Sequence, residues 1–176
     1  MIAPRINELR TKHPRLSLQL IGSLGSASLS RREADIAVRL SRPTEPDLVA
    51  RKIATLPFHL YGSTEYLANT ATQDLTFIAY DESMEQSPQQ DWLKAQAGDR
   101  PIRLRSNDLN IQATCAQAGA GVAALPCFLG RHYGLQAMES VGADLARDVW
   151  LVVHSDIRHT PAVQAMMSFL VSCFEN

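Results

Sequence analysis

Short polar segments follow three of the apolar, strand-like runs of this sequence, and their side chains are suited to binding a small molecule. Ser106 and Asn107 lie between a predicted strand and a predicted helix. Free backbone N–H groups, hydroxyls and amides at the start of a helix can bind an anion. The same residue types are preferred helix N-caps, so capping explains them equally well. The two interpretations are compatible, and both stay open.

Arg39 and Ser41 lie at the end of another apolar run, residues 36–40. Ligands of open α/β sheets bind beyond the carboxyl ends of strands, and a planar guanidinium can bind a carboxylate through two hydrogen bonds. A solvent-exposed arginine with no ligand is the competing interpretation. Ser23 follows a third run, which ends at Gly22. An ordinary turn competes there, because no lysine follows at the spacing of a phosphate-binding loop.

The sequence shows no arrangement of side chains typical of an enzyme or a metal site. His154, Ser155 and Asp156 include the residue types of a catalytic triad, but neighbours in sequence rarely form one, and there is no G-x-S-x-G motif. Cys115 and Cys127 lie among apolar residues, which predicts buried, unreactive thiols. We therefore expect no catalysis, no metal and no cofactor.

Composition is that of a globular domain with almost balanced charge. The chain has 176 residues, 45% hydrophobic and 20% charged, with 17 lysines and arginines against 18 acidic residues. Such a balance gives no general attraction to nucleic acid. Three cysteines are too few for a disulfide framework, which indicates a reducing compartment. Because no uninterrupted apolar segment marks a signal peptide or a membrane span, we expect a cytoplasmic protein without membrane contact.

The pattern of charge and hydrophobicity predicts two lobes of α/β type. Residues 1–52 hold ten basic against five acidic side chains, whereas residues 74–99 hold six acidic side chains and one lysine. The polar stretch 69–72 separates these regions. Strand-like and helix-like segments alternate along the chain, which favours an α/β fold. The predicted strands are 16–20, 36–40, 49–54, 58–62, 75–80, 102–105, 122–125 and 149–153, and the predicted helices are 2–12, 89–96, 109–118 and 161–174.

Three segments together resemble one protein family. They are ADIAVRLSRPTEPDLVARKIATLPFHLYGSTEYLA at residues 34–68, GAGVAALP at 119–126 and VWLVVHSDIRHTPAVQAMMSFL at 149–170. In this order and at this spacing they are similar to the effector-binding domain of LysR-type transcriptional regulators. The resemblance covers nearly the whole chain.

The resemblance implies a two-lobed fold like that of type 2 periplasmic binding proteins, with a discontinuous first lobe. Lobe I would comprise residues 1–71 and 149–176, and lobe II residues 72–148. The implied function is regulatory: the domain would sense a small anionic metabolite in the cleft between the lobes, with Ser106 and Asn107 near its carboxylate. Tyr80 would face this cleft, although a half-buried core tyrosine is the alternative. A solute-binding protein of the same fold, acting in transport, is the alternative function.

The resemblance also implies partners, and the sequence departs from the family pattern in one respect. Family members form homodimers or higher homo-oligomers and bind DNA through an N-terminal domain that this sequence does not contain. The first strand of the effector domain is also missing, so we expect the chain to begin within the first helix. Its neighbouring strands would then lack backbone partners. Either an unusual pairing repairs lobe I, or the sequence is a piece of a longer protein.

Overall fold

The chain forms two compact units in a computed structural model that describes residues 1–22, 29 and 33–175. Unit 1 comprises Met1–Thr55 and Arg147–Asn176, and unit 2 comprises Leu56–Ala146. One unit is therefore discontinuous in sequence, and the chain passes between the units twice.

Unit 1 combines segments of three strands with helices from both ends of the chain. The strands β1 (Ile36–Arg39) and β7 (Leu145–His154) are antiparallel, with Ile36 opposite Val153 and Arg39 opposite Trp150. A short 3-10 turn, Ala3–Arg5, precedes the first helix. The elements are α1 (Ile6–Lys12), β1 (Ile36–Arg39), the first half of β2 (Leu48–Gly62), most of β7 (Leu145–His154) and α6 (Pro161–Ser172).

The core of unit 1 joins α1 to α6 and β7. Leu9 of α1, Leu151 of β7 and Phe169 of α6 are buried together. At the end of α6, Arg5 Nη1 donates a 2.6 Å hydrogen bond to the carbonyl of Ser172. This bond satisfies one of the carbonyls that the end of a helix leaves unpaired. No helix in the described ranges is long and apolar enough to cross a membrane.

The predicted strand at residues 16–20 is wrong. The described residues 16–22 belong to no sheet, and Leu20 is 55% exposed. Leu16 and Leu18 still pack against the core of unit 1. Alternating leucines therefore place one side of the segment on the core, but a strand also needs a neighbouring strand to pair its backbone.

The two strands predicted at 49–54 and 58–62 are one continuous strand, β2. The sequence predicts a break at Leu56 and Pro57, because proline lacks an N–H for the ladder. In the structure the pairing of β2 with β5 (Val122–Pro126) begins at Phe58, directly after Pro57. The proline thus lies just outside that ladder and does not end the strand.

Unit 2 contains the second half of β2 and a mixed sheet with helices. Its further elements are α2 (Thr64–Asn69), β3 (Phe77–Ala79), α3 (Pro88–Ala97), β4 (Ile102–Arg105), α4 (Leu109–Gln117), β5 (Val122–Pro126), α5 (Cys127–His132) and β6 (Gln136–Met138). The strand order is β2, β5, β3, β4, with β6 also paired to β2. β3 runs parallel to β4 and β5, whereas β2 is antiparallel to β5 and β6. Apart from the limits of individual elements, α3, α4, β4 and β5 lie where the sequence predicts them.

The sheet of unit 2 is buried on both faces. Phe77 and Ala79 of β3 pack with Leu93 of α3, whereas Ile78 packs on the other face with Ala113 of α4. Side chains of a strand alternate between its faces, so a strand covered on both sides must be apolar throughout. This explains why every residue of β5 is buried.

The limits of the two units differ from those of the predicted lobes. The units divide after Thr55 and after Ala146. Residues 56–71 therefore pack within unit 2, where Tyr66 and Leu67 contact the core. The lobe limits at 71/72 and 148/149 stay a prediction of the sequence.

A glycine turn brings the chain into β5. Gly121 has a φ of 140°, a conformation that side-chain-bearing residues rarely adopt. A Cβ at this position would lie 2.7 Å from the carbonyl oxygen of Thr76. The close approach of the two backbones thus requires glycine within the GAGVAALP motif.

Gly130 gives a test of the packing in unit 2. A Cβ on Gly130 would overlap with the ring of Tyr61, and burial raises the pKa of this tyrosine to about 12. Overpacking a core costs about 1–3 kcal/mol, which outweighs the gain of about 1 kcal/mol when alanine replaces glycine in a helix. We expect Gly130→Ala to lower the free energy of unfolding in urea. The control is Gly22→Ala, because a Cβ there meets no atom of the described residues within 4 Å. Equal stability of the two variants would contradict the prediction.

Candidate functional site

Unit 2 brings three of the predicted site residues to one corner of its sheet. Tyr80 follows β3, and Ser106 and Asn107 follow the neighbouring parallel strand β4. The carboxyl ends of parallel neighbours lie at the same edge of a sheet, where ligands of α/β folds bind. The Ser106 N–H donates a 3.0 Å hydrogen bond to the carbonyl of Ala79, so the two chain segments are in direct contact.

The interpretation of Ser106 and Asn107 as helix caps is wrong, because Asp108 is the N-cap of α4. Its Oδ1 accepts hydrogen bonds from the backbone of Asn110 at 2.6 Å and of Ile111 at 3.1 Å. Ser106 Oγ accepts one from the Asp108 N–H at 3.2 Å. Helix α4 begins one residue later than capping by Asn107 requires.

The cap changes the electrostatics of this corner. A carboxylate at a helix N-terminus neutralises the positive end of the helix dipole and uses its free N–H groups. An anion placed there would meet the charge of Asp108. Ser106 and Asn107 are both half-buried, and within the part of the chain that the structure describes no side-chain hydrogen bond of Asn107 is seen. These two side chains, rather than the end of α4, are the groups that could bind a ligand.

Two buried glutamines, which sequence reasoning missed, hold the end of β3. Gln112 of α4 is 1% exposed, and its Nε2 donates to the carbonyls of Ala79 at 3.3 Å and Ser106 at 2.6 Å. Gln90 of α3 is fully buried. Its Oε1 accepts from the Tyr80 N–H at 3.0 Å, and its Nε2 donates to the Tyr80 carbonyl at 3.3 Å.

The sequence carries a signal for these glutamines. Gln112 lies four residues before the buried Ala116, and Gln90 lies three residues before the buried Leu93. Residues three or four apart share a face of a helix. Gln112 is therefore a polar residue on an otherwise apolar face, whereas the buried face of α3 carries Gln89 and Gln96 beside Gln90 and is mixed. A buried polar group needs hydrogen-bond partners inside the protein, so the signal is clear only for Gln112.

Charged side chains complete the corner. Arg105 Nη1 donates to the Tyr80 carbonyl at 3.1 Å, so this carbonyl accepts from two side chains. Glu85 accepts hydrogen bonds from Lys94 and from Gln90 Nε2. The bond from Lys94 lowers the pKa of Glu85 most, and the bond from Gln90 lowers it further. Tyr80 itself is only 5% exposed, which favours the core-tyrosine interpretation of its ring.

The remaining predicted site residues belong to unit 1 or lie outside the described residues. The Arg39 side chain is 13% exposed, and its Nη1 lies 3.7 Å from Glu45 Oε1. Ser41 is exposed, and the guanidinium of Arg42 next to it lies over the ring of Trp150, 5.4 Å from its centre. Ser23 falls outside the described residues.

His154 contacts Asp47 and Asp156 rather than Ser155. Its Nε2 lies 3.2 Å from Asp47 Oδ2, and its Nδ1 accepts the Asp156 N–H at 3.2 Å. Ser155 Oγ instead lies 3.5 Å from Asp156 Oδ1. Across residues 1–22, 29 and 33–175, no group of three His, Cys, Asp or Glu side chains could hold a metal ion. That the protein needs no cofactor and performs no catalysis stays a prediction.

Comparison with known proteins gives one result for the whole chain. A family model described as the LysR substrate binding domain matches residues 1–174. The Mau operon transcriptional activator of Paracoccus denitrificans is 27% identical over 174 residues, which are 98% of this chain and 60% of that protein. The chain thus spans about three-fifths of the length of this relative.

Solved structures agree with this result at the level of the fold. The LysR-type regulator CrgA of Neisseria meningitidis superposes with a TM-score of 0.83 at 22% identity, over 99% of this chain and 64% of CrgA. Its isolated regulatory domain superposes with a TM-score of 0.80 at 21% identity, over 99% of this chain and 92% of that domain. The predicted fold class, a two-lobed α/β fold like that of periplasmic binding proteins with a discontinuous first lobe, is confirmed.

The cap of α4 can be tested by mutation. Asp108→Ala removes both hydrogen bonds to the first turn, and the loss of an N-cap costs about 0.5–2 kcal/mol. We expect this loss in the free energy of unfolding measured in urea. Asn107→Ala is the matched control and should cost less, because Asn107 does not cap the helix. The assignment of the cap is refuted if Asn107→Ala destabilises as much as Asp108→Ala.

Proposed function

Because the chain belongs to the LysR substrate-binding domain family, we propose that it senses a small anionic metabolite on behalf of a transcriptional regulator. The observation that carries the proposal is the family match over residues 1–174, which includes both units. The family consists of transcriptional regulators, which are not enzymes. The relative from Paracoccus denitrificans is a transcriptional activator. The comparisons therefore support an effector-binding, regulatory function and not the alternative in transport.

In unit 2 the proposed contacts are Ser106 and Asn107. The Ser106 hydroxyl and the Asn107 amide would donate hydrogen bonds to an acidic group of the effector. Donors are needed beside the cap, because Asp108 uses the N–H groups at the start of α4. Tyr80 lies at the same corner, and its buried ring would shape the site rather than bind charge.

In unit 1 we propose Arg39 and Ser41 as further contacts, and Ser23 remains a candidate from the sequence. Arg39 can supply positive charge, but its proximity to Glu45 means that an acidic effector would compete with this carboxylate. Binding would favour one conformation of the domain over another, which is a shift of populations and requires no chemical step. Contact with DNA would be made by another part of the complete regulator, in the cytoplasm.

We further propose that the chain assembles as a homodimer or a higher homo-oligomer. Helix α1 and residues 16–20 form an open groove of about 420 Å³ on unit 1, which is lined by apolar and polar side chains: Ile6, Arg10, Leu16, Ser17, Leu18 and Leu20. Ile21, next to the groove, is 57% exposed. Exposed apolar surface of this kind is typical of protein–protein contacts.

The oligomer can be tested by sedimentation. We expect a dimer at high micromolar concentration, and Leu20→Asp should weaken it because a carboxylate would be buried in the contact. Val141→Asp is the control, since Val141 is 80% exposed and lies in unit 2. A parent chain that stays monomeric at this concentration would contradict the proposal, and so would equal effects of the two variants.

The effector site is tested by a thermal-shift screen of carboxylates, amino acids and sugar acids, followed by calorimetric titration. Hydrogen bonds to a charged group contribute about 1.5–3 kcal/mol each. The double variant Ser106→Ala/Asn107→Ala should therefore lower the affinity for the compound found in the screen by about two orders of magnitude or more. Ser168→Ala on the exposed side of α6 is the control and should leave it unchanged. Unchanged affinity of the double variant would exclude this site.

A further inference from the structure

One buried side chain joins the loop that follows β4 to the end of β3. We infer that Gln112 is a positioning residue, which orders residues 106–108 before any effector binds. The inference rests on the proposed function in one respect only, which is that Ser106 and Asn107 bind the effector. The order of the loop itself can be measured without a ligand.

The hydrogen bonds of Gln112 connect the chain segments after β3 and β4 beyond the point where the two strands stop pairing. The ladder between β3 and β4 reaches Ala79 and Arg105, and one further bond follows, from the Ser106 N–H to the Ala79 carbonyl. Both hydrogens of Gln112 Nε2 then bridge the carbonyls of Ala79 and Ser106. A buried carbonyl without a hydrogen-bond donor costs free energy. Because the Gln112 side chain is only 1% exposed, water cannot easily replace its amide as the donor.

Gln90 fixes the opposite side of the same corner from another helix. It binds both the N–H and the carbonyl of Tyr80, as a paired strand would. The end of β3 is thus held from α3 by Gln90 and from α4 by Gln112. The Ala79 carbonyl, through which Gln112 connects the loop to β3, therefore lies next to a residue whose backbone is itself hydrogen-bonded to Gln90.

The loop between these anchors carries the two side chains assigned to the effector. Ser106 is held through its N–H and its carbonyl, and Asp108 through its cap and its N–H. Asn107 lies between them and is fixed on both sides through the backbone. Ordering a loop in advance removes an entropic cost from binding.

The test compares three variants by NMR-detected hydrogen exchange of the full chain. Gln112→Met keeps a long, unbranched side chain and removes both donors. The Ser106 and Asp108 amides should lose at least tenfold in protection relative to the amide of Val122, which lies in the buried strand β5. Gln117→Met on the same helix is the control. Its amide donates to the Tyr133 carbonyl at 2.8 Å on an exposed surface, so residues 106–108 should be unaffected.

Gln112→Glu adds a pH profile that packing alone would not produce. Burial raises the pKa of a carboxyl group, so this side chain would be protonated at low pH and could donate to one carbonyl. At high pH it would be a carboxylate facing two carbonyl oxygens. We expect protection of Ser106 and Asp108 to be largely recovered at pH 5 and lost at pH 8, after correction for intrinsic exchange.

Two results would overturn the inference. One is unchanged protection at Ser106 and Asp108 in Gln112→Met, and the other is a uniform loss over all amides of unit 2, which would make Gln112 an ordinary core residue. A local loss of protection together with no binding in the effector screen would refute the proposed function and leave the positioning role intact.

Discussion

The corner where β3 ends is the constraint on which the candidate site of unit 2 depends. The carbonyls of Ala79 and Tyr80 each accept two hydrogen bonds, and three of these four come from side chains. Such saturation is needed because β3 is a short central strand, buried on both faces, whose backbone leaves the ladder inside the protein. Glutamine serves this purpose well, since its neutral amide satisfies backbone groups without burying a charge.

The same corner decides the electrostatics of the site. Asp108 caps α4 with a carboxylate, so the start of the helix is already neutralised by the chain itself. In the proposed site an acidic effector would therefore be recognised by the side chains of Ser106 and Asn107. It would gain hydrogen bonds there at the cost of repulsion from Asp108. In this proposal the affinity would depend on how accurately the loop is held.

Two segments of unit 1 have few or no strand neighbours in the part of the chain that the structure describes. Residues 16–22 lie along its core without joining a sheet, and β1 pairs only with β7. That strands of this lobe lack backbone partners stays a prediction of the sequence. Apolar surface left beside α1 is then available for a second copy of the chain, as proposed.

The amino-acid pattern predicts the fold class, most helices and strands, and the location of candidate residues at strand ends. These features depend on local periodicity, which acts over a few positions of the chain. The remaining features depend on contacts that form only in the folded protein, among them the close approach of Gly121 to the Thr76 carbonyl. Whether residues 16–20 form a strand depends on a neighbouring strand, and whether Pro57 breaks β2 depends on where pairing with β5 begins. Asp108 caps α4 through bonds to Asn110 and Ile111, but all three of Ser106, Asn107 and Asp108 are suitable caps, so residue type alone does not choose between them. Which backbone groups the buried glutamines bind depends on contacts between segments that are distant in sequence, and no local pattern specifies such partners.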